Sequence, residues 1–97
     1  MGKKESDMIK EYLLSCSCRP SLSGFYVLQH VVGISVKNPS LKCSELFKKF
    51  AMSKAGHNMT EKSSYHAAKY CIDNSLAPDR GVYQFIKSAA LFLEDSL

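Results

Sequence analysis

Apolar side chains recur with helical spacing in the middle of this chain. The first run follows the pattern i, i+3, i+4, i+7 and i+8, which lies on one face of a helix: Cys43, Leu46, Phe47, Phe50 and Ala51. A second run forms another apolar face: Ala68, Cys71, Ile72 and Leu76. Between them stands Gly56-His57-Asn58, where glycine and asparagine tolerate the left-handed conformation that ends many helices. The pattern predicts two helices joined by a short turn over about residues 41–74, with Thr60 capping the second.

The same periodicity predicts three further helices. The first is capped by Ser6-Asp7 and has an apolar face made of Ile9, Tyr12, Leu13 and Cys16. The last is capped by Asp79, after a loop over residues 74–81 that contains Pro78. It carries the most regular amphipathic pattern of the chain: Val82, Phe85, Ile86, Ala89, Ala90 and Leu93. The chain is therefore expected to be one all-α domain, residues 1–97, built as a compact bundle of about five helices containing a helix-turn-helix.

The remaining helix, from about Leu22 to Val36, is expected at the centre of the bundle because apolar residues cover most of its circumference. Ser21 or Ser23 is its expected cap. Its cluster Val31-Val32-Gly33-Ile34 also suits a strand, but no second strand-like run exists to pair with it. A helix is therefore preferred, with His30 as a partly buried packing residue. Lys37 to Ser40 is expected to form a turn, with Ser40 capping the next helix.

Charge distinguishes the central segment from the rest of the chain. The formal net charge is +4, and the segment from Lys37 to Tyr70 holds seven lysines against two acids. The residues outside it carry six basic and seven acidic groups. This concentration of positive charge suits a polyanionic partner, while a merely solvated helix surface is the alternative interpretation.

The second helix of the central segment has a polar stripe apart from its apolar face. Lys62, His66, Lys69 and Asp73 fall at i, i+4, i+7 and i+11. A helix, a tight turn and a helix with an exposed basic stripe describe a helix-turn-helix, whose second helix, about residues 60–74, would lie in the major groove of DNA. Tyr65 and Tyr70 flank the stripe, and each suits the edge of the core as well as it suits a contact.

Other chemistry has weak support in the sequence. There is no phosphate-binding glycine loop, no nucleophile elbow and no spacing that pairs a nucleophile with a base, so an enzyme is not expected. Cys16, Cys18, Cys43 and Cys71 do not follow a structural zinc spacing, and neither a metal nor another cofactor is expected. They are expected to stay reduced, which favours the cytoplasm. No apolar run approaches the roughly 20 residues that span a bilayer, so no membrane partner is expected.

At these residues the chain resembles the C-terminal DNA-binding effector domain of the response regulator that governs sporulation initiation in endospore-forming bacteria. The family's second helix begins Gly-Tyr-x-x-Leu, and here Gly24-Phe25-Tyr26-Val27-Leu28 takes that place. The family's hallmark segment aligns without gaps with Asn58–Asp73. Four residues match outright, namely Asn58, Thr60, Ala67 and Ile72, while Lys69 and Asp73 match in charge. The family's central Val-Glu-Arg is replaced by Ser64-Tyr65-His66.

The resemblance implies an all-helical bacterial transcription regulator that binds double-stranded DNA, with two copies forming a homodimer on tandem sites. Its contact residues, carried over to this chain, are Lys62, Ser63, Tyr65, His66 and Lys69. Because Tyr65 and His66 replace charged residues of the family, the DNA site is expected to differ. The chain has no room for the family's receiver domain, so it is expected to be a fragment or a stand-alone relative. The alternative is a helical protein-interaction module that has kept the fold and lost sequence-specific DNA binding, with its interface on the last helix or on Tyr65 and Tyr70.

Overall fold

Five α-helices make up the described part of the chain. They are α1 (Lys3–Ser15), α2 (Ser23–Lys37), α3 (Cys43–Met52), α4 (Glu61–Asp73) and α5 (Val82–Ser96). The structure is a computed structural model, and it describes residues 3–53, 56, 59–75 and 81–96. No strand occurs within those ranges. The prediction of an all-α bundle of about five helices is therefore confirmed, whereas the helix-turn-helix arrangement stays a prediction.

α2 lies at the centre of the bundle and contacts each of the other four helices. Its bounds differ by one residue from those predicted, and the Val31–Ile34 cluster is helical rather than extended. Eight of its fifteen residues are buried: Gly24, Phe25, Val27, Leu28, Val31, Val32, Gly33 and Ser35. His30 is half-buried as predicted, with its ring 4.4 Å from that of Tyr26 and 6.0 Å from that of Phe50.

α1 is followed by a residue in the left-handed conformation, as many helices are, but this residue is a serine and not a glycine. Ser17 has φ 61°. Its N–H donates to the Leu14 carbonyl at 2.9 Å, and the N–H of Cys18 donates to the Leu13 carbonyl at 3.0 Å, which is the Schellman pattern. The turn directs Cys18 back onto the core, where it is 2% exposed.

Several predicted helix caps are wrong. α1 begins at Lys3, so Ser6-Asp7 lies inside the helix, because the preceding lysines and Glu5 also favour helix. α2 has Leu22 at its N-cap instead of Ser21 or Ser23, and α3 has Lys42 instead of Ser40. Neither N-cap side chain accepts a hydrogen bond from its helix, although Glu45 accepts one from the N–H of Lys42 at 3.0 Å. Three other residues in the predictions, Leu76, Pro78 and Asp79, lie outside the described residues.

The connection from α3 to α4 is longer than the predicted short turn. It spans the eight residues 53–60, whereas a helix-turn-helix has a turn of three or four. The expectation that Gly56 supplies a left-handed conformation is wrong, because its φ lies outside that region. Gly56 instead packs closely, since a Cβ there would lie 2.3 Å from the carbonyl oxygen of Phe50. His57 and Asn58, the rest of the predicted turn, lie outside the described residues.

None of the five helices combines the length and apolar character that a bilayer-spanning segment needs, as judged over the described ranges.

Candidate nucleic-acid interface

The beginning of α4 is held by a reciprocal pair of hydrogen bonds. Oγ1 of Thr60 accepts from the N–H of Ser63 at 3.0 Å, and Oγ of Ser63 accepts from the N–H of Thr60 at 3.0 Å. The prediction that Thr60 caps this helix is therefore confirmed. The N–H groups of Glu61 and Lys62 have no acceptor among the residues the structure describes. They lie at the positive end of the helix dipole, which favours an anion.

All five side chains predicted to contact DNA lie on the exposed side of α4: Lys62, Ser63, Tyr65, His66 and Lys69. The opposite side packs into the bundle through Ser64, Ala68, Cys71 and Ile72. At 3.6 residues per turn, Lys62, His66 and Lys69 form one stripe, with Tyr65 on one flank. The stripe read from the sequence is therefore a surface feature of the folded domain.

Positive charge is not uniform along this stripe. Nζ of Lys69 lies 3.7 Å from Oδ2 of Asp73, one helical turn further on, and both side chains are about half exposed. Such an exposed i, i+4 pair contributes only about 0.3–0.5 kcal/mol, so it can open in favour of a stronger partner. Lys62 has no carboxylate within 4 Å in the described part of the chain. The N-terminal end of the stripe therefore carries the less compensated charge.

Ser63 and Tyr65 have structural roles besides any contact with a ligand. The Ser63 hydroxyl belongs to the cap, since it accepts from Thr60 N–H and also donates to the Thr60 carbonyl at 3.2 Å. The ring of Tyr65 meets that of Phe47 edge-on at 5.5 Å and remains 36% exposed. Tyr65 thus joins α4 to α3, which confirms its interpretation as a core-edge residue, and it still reaches solvent, so the contact with DNA stays a prediction.

The starts of α3 and α4 face a common recess of about 550 Å³. Its lining comprises Cys43, Ser44, Phe47, Thr60, Glu61, Lys62 and Tyr65. The first residues of both helices therefore line one place, where Lys62 and Glu61 carry opposite charges. Sequence reasoning missed Cys43 and Ser44 in this role, because the spacing within each helix does not show which helix ends meet.

The lysines of the central segment are divided between two sides of α3. Lys62 lines the recess beside α4, whereas Lys37, Lys48 and Lys49 line a groove between α2 and α3. Lys54 lies outside the described residues. The sequence predicted a single concentration of charge on one helix-turn-helix, but these four lysines do not line one site in the folded chain.

The cysteines pack as thiols. All four are free, and Cys18 and Cys71 form a buried hydrogen-bonded pair. That bond, together with burial, raises the pKa of the Cys18 thiol, while the same bond lowers the pKa of Cys71. Burial raises the pKa of Cys43. Because thiols with a raised pKa are poor nucleophiles, Cys18 and Cys43 are not expected to be reactive. Among the described residues no three His, Cys, Asp or Glu side chains are grouped closely enough to hold a metal ion.

Comparisons with protein-family models, with curated proteins and with solved structures find no match to this chain. The resemblance to the sporulation regulator therefore rests on the residues quoted for it.

Proposed function

We propose that this chain is a DNA-binding transcriptional regulator domain that recognises duplex DNA through the exposed side of α4, about residues 60–74. The observation that carries the proposal is the stripe of donor side chains on one solvent-facing side of a helix capped at its start. The proposed activity is DNA binding alone, with no catalytic step. A helix-turn-helix arrangement of α3 and α4, with an extended connection of eight residues, and a cytoplasmic location are parts of the same proposal.

The dimensions of α4 support this function. Its thirteen residues span about 20 Å, and a helix with side chains is about 10–12 Å across, close to the width of the major groove. Lysine and histidine donors suit the acceptor edge of guanine and the phosphate oxygens. Lys69 and His66, near the middle of the helix, are then assigned to bases, whereas Lys62, at its start, is assigned to a phosphate.

The recess at the starts of α3 and α4 supports the same orientation. When a recognition helix enters the groove by its N-terminal half, the helix before it crosses the sugar-phosphate backbone. Ser44 and the first N–H groups of α3 are then close to phosphates, beside Lys62. Glu61 weakens this site for phosphate, so Glu61→Gln is expected to tighten binding by a few fold.

Selection from a random duplex library with the purified chain tests the proposal. We expect a recurrent short motif to be enriched, and paired copies of it if two molecules bind tandem sites as a homodimer. The double variant Lys69→Ala with His66→Ala is expected to lose about 1–3 kcal/mol on that motif for each good base contact removed. A gel shift on the enriched duplex measures the loss.

The matched control for that double variant is Lys10→Ala with Gln84→Ala, which removes one lysine and one neutral side chain from exposed positions on α1 and α5. The control should bind the enriched duplex as the wild type does. Enrichment of no motif, or equal loss in both double variants, would count against recognition by α4.

A second candidate function, a helical protein-interaction module, is favoured by a different observation. Leu14 on α1 and Leu91 and Phe92 on α5 are 45%, 61% and 48% exposed. The ring of Phe92 lies 5.0 Å from that of Tyr12, so exposed apolar surface of α5 continues onto α1 at this point. Exposed apolar regions of this kind mark contact surfaces between proteins.

Sedimentation of the wild type and of Leu91→Ser with Phe92→Ser discriminates between the two functions. An interaction module should self-associate or bind a partner through this region, should lose that association in the variant, and should bind no duplex selectively. A regulator should keep its duplex selectivity when the apolar region is altered.

A further inference from the structure

We propose that the groove between α2 and α3 is a docking site for an acidic amphipathic helix of a protein partner. The groove is separate from the recess beside α4, and the proposal does not rest on DNA binding. It has a volume of about 750 Å³ and is open to solvent. That volume lies within the range typical of ligand-binding clefts.

Most of the surface that lines the groove is apolar. Gly33 is buried there, and Ile34 and Leu41 are half-buried. Met52 stands at the groove with 78% of its surface exposed, the highest value among the large apolar side chains that the structure describes. An exposed methionine is flexible and polarizable, and it adapts to partner side chains of different shapes.

The connection that carries Leu41 is held in place from the other side. The Tyr83 hydroxyl donates to the Leu41 carbonyl at 2.9 Å, and the Lys87 ammonium donates to the Pro39 carbonyl. These two bonds from α5 fix the residues between α2 and α3. The groove is therefore a preformed feature of the bundle, which lowers the cost of binding.

Three lysines, Lys37, Lys48 and Lys49, surround this apolar surface. None of them has a carboxylate within 4 Å in the parts of the chain that the structure covers. The one acid of the groove, Glu45, accepts a hydrogen bond from the N–H of Lys42 and so serves the start of α3. The C-termini of α2 and α3 offset part of the charge on Lys37 and on Lys49, each of which lies in the last turn of its helix, whereas Lys48 lies outside both last turns. The groove thus pairs apolar surface with uncompensated positive charge.

This combination favours an acidic amphipathic peptide over other anions. Duplex DNA would meet the lysines and leave the apolar surface uncovered, and an acyl chain would remain largely in water in a groove open to solvent. From His30 to Lys37, α2 borders the groove over about 11 Å, which is the length of two helical turns. A partner helix with apolar residues at i, i+3, i+4 and i+7 and with acids beside them fits both features.

Selection from a displayed library of random peptides of about 12 residues, long enough for three helical turns, tests the docking site. Wild-type protein should enrich sequences that are rich in Asp and Glu and have apolar residues at helical spacing. The enriched peptide, labelled with fluorescein, is then titrated by anisotropy. Lys48→Gln with Lys49→Gln should weaken its binding by about tenfold, as expected for the loss of two partly exposed charge pairs. Met52→Ser should weaken it severalfold.

The matched control is Lys10→Gln with Arg19→Gln, which removes the same charge from exposed positions outside the groove. It should bind the peptide within about twofold of the wild type, because the substitutions change only the long-range attraction between the protein and the acidic peptide. Amide chemical-shift changes on adding the peptide should fall on α2 and α3 around the groove. These results together support the proposal.

Three results overturn it. One is enrichment of peptides with no excess of acids. Another is an equal loss of peptide binding in the groove variant and the control. The third is a loss of duplex DNA binding in the groove variant that exceeds its loss of peptide binding, which would assign these lysines to nucleic acid. A failure of duplex binding in the wild type leaves the peptide result unaffected, so the two proposals fail independently.

Discussion

α2 and α4 pack against each other, yet they differ in how much of their surface the bundle covers. Eight of the fifteen residues of α2 are buried, against four of the thirteen of α4. α2 supplies large apolar side chains to the core, while α4 is anchored by a narrow side that includes Ser64, Ala68 and Cys71. The two helices therefore have different roles. Stability depends most on α2 and on its contact with α4, whereas the remaining surface of α4 is available for a ligand.

The largest expected effect comes from the point where the two helices approach most closely. A Cβ at Gly24 would lie 2.0 Å from the carbonyl oxygen of Ala67 and 2.7 Å from Cβ of Cys71. Gly24→Ala should therefore force α2 and α4 apart and lower the free energy of unfolding by about 3 kcal/mol. Urea denaturation measures the change.

Gly81→Ala is the matched control, because a Cβ there meets no atom within 4 Å. Gly81 directly precedes α5, and its carbonyl accepts from the N–H of Phe85 at 3.0 Å, which places it at the N-cap. Glycine is better there than alanine, so the variant should lose at most about 1 kcal/mol. Equal urea midpoints for the two variants would show that α2 and α4 are not in such close contact.

The start of α4 should be more sensitive than that of α3. Thr60→Ala removes the side-chain acceptor of the cap and is expected to cost about 1 kcal/mol. Lys42→Ala, at an N-cap whose side chain accepts no hydrogen bond, should cost a few tenths. Thermal unfolding measures the loss of stability in each variant. An equal loss would show that the Thr60 cap does not stabilise the start of α4.

Two buried serines give opposite expectations for the two helices. Oγ of Ser35 on α2 is buried with no hydrogen-bond partner in the described structure, whereas Oγ of Ser64 on α4 donates to the Thr60 carbonyl at 2.8 Å. Ser35→Ala should raise the free energy of unfolding by about 1 kcal/mol, and Ser64→Ala should lower it by a similar amount. Urea midpoints that move in the same direction would contradict this assignment.

The smallest effect is expected on the exposed side of α4. Tyr70 is 59% exposed, and its ring packs against no other aromatic ring that the structure describes. Tyr70→Ala should change stability by less than about 0.5 kcal/mol. A loss above 1 kcal/mol in calorimetry would mean that this side of α4 contributes to the fold.

The helices could be predicted because their apolar spacing follows from burial on one face. α2 was placed within one residue at each end, and Ile9, Leu13, Phe85 and Leu93 are fully buried as their positions require. Thr60 could be identified as a cap because a hydroxyl beginning an amphipathic run satisfies the first N–H groups. Ser21, Ser23 and Ser40 carry the same signal, but Leu22 and Lys42 occupy those N-caps instead.

The remainder depends on contacts between helices, which spacing within a helix does not encode. The close approach of Gly24 to Ala67 and Cys71 joins two helices that are far apart in sequence, so spacing could not predict it. Gly56 packs on Phe50 at the end of α3, where the sequence suggested only a left-handed turn. Periodicity placed Lys48 and Lys49 away from Phe47, but it could not show that α2 forms the opposite wall of their groove. The pairing of Lys69 with Asp73 could be predicted from their i, i+4 spacing, because both lie on one helix. The recess shared by α3 and α4 could not, because it depends on how two helices pack.

The salt dependence of duplex binding tests the central claim, binding of DNA by α4, most directly. Fluorescence anisotropy gives the binding constant of the wild type, of Lys62→Ala with Lys69→Ala, and of Lys10→Ala with Arg19→Ala over a range of salt concentrations. Each phosphate contact contributes about 0.9 to the slope of log K against log salt. Because Lys62 is assigned to a phosphate and Lys69 to a base, removing both should reduce the slope by about 1, and the control should leave it unchanged. Equal slopes for all three proteins, or no duplex binding at low salt, would contradict the account.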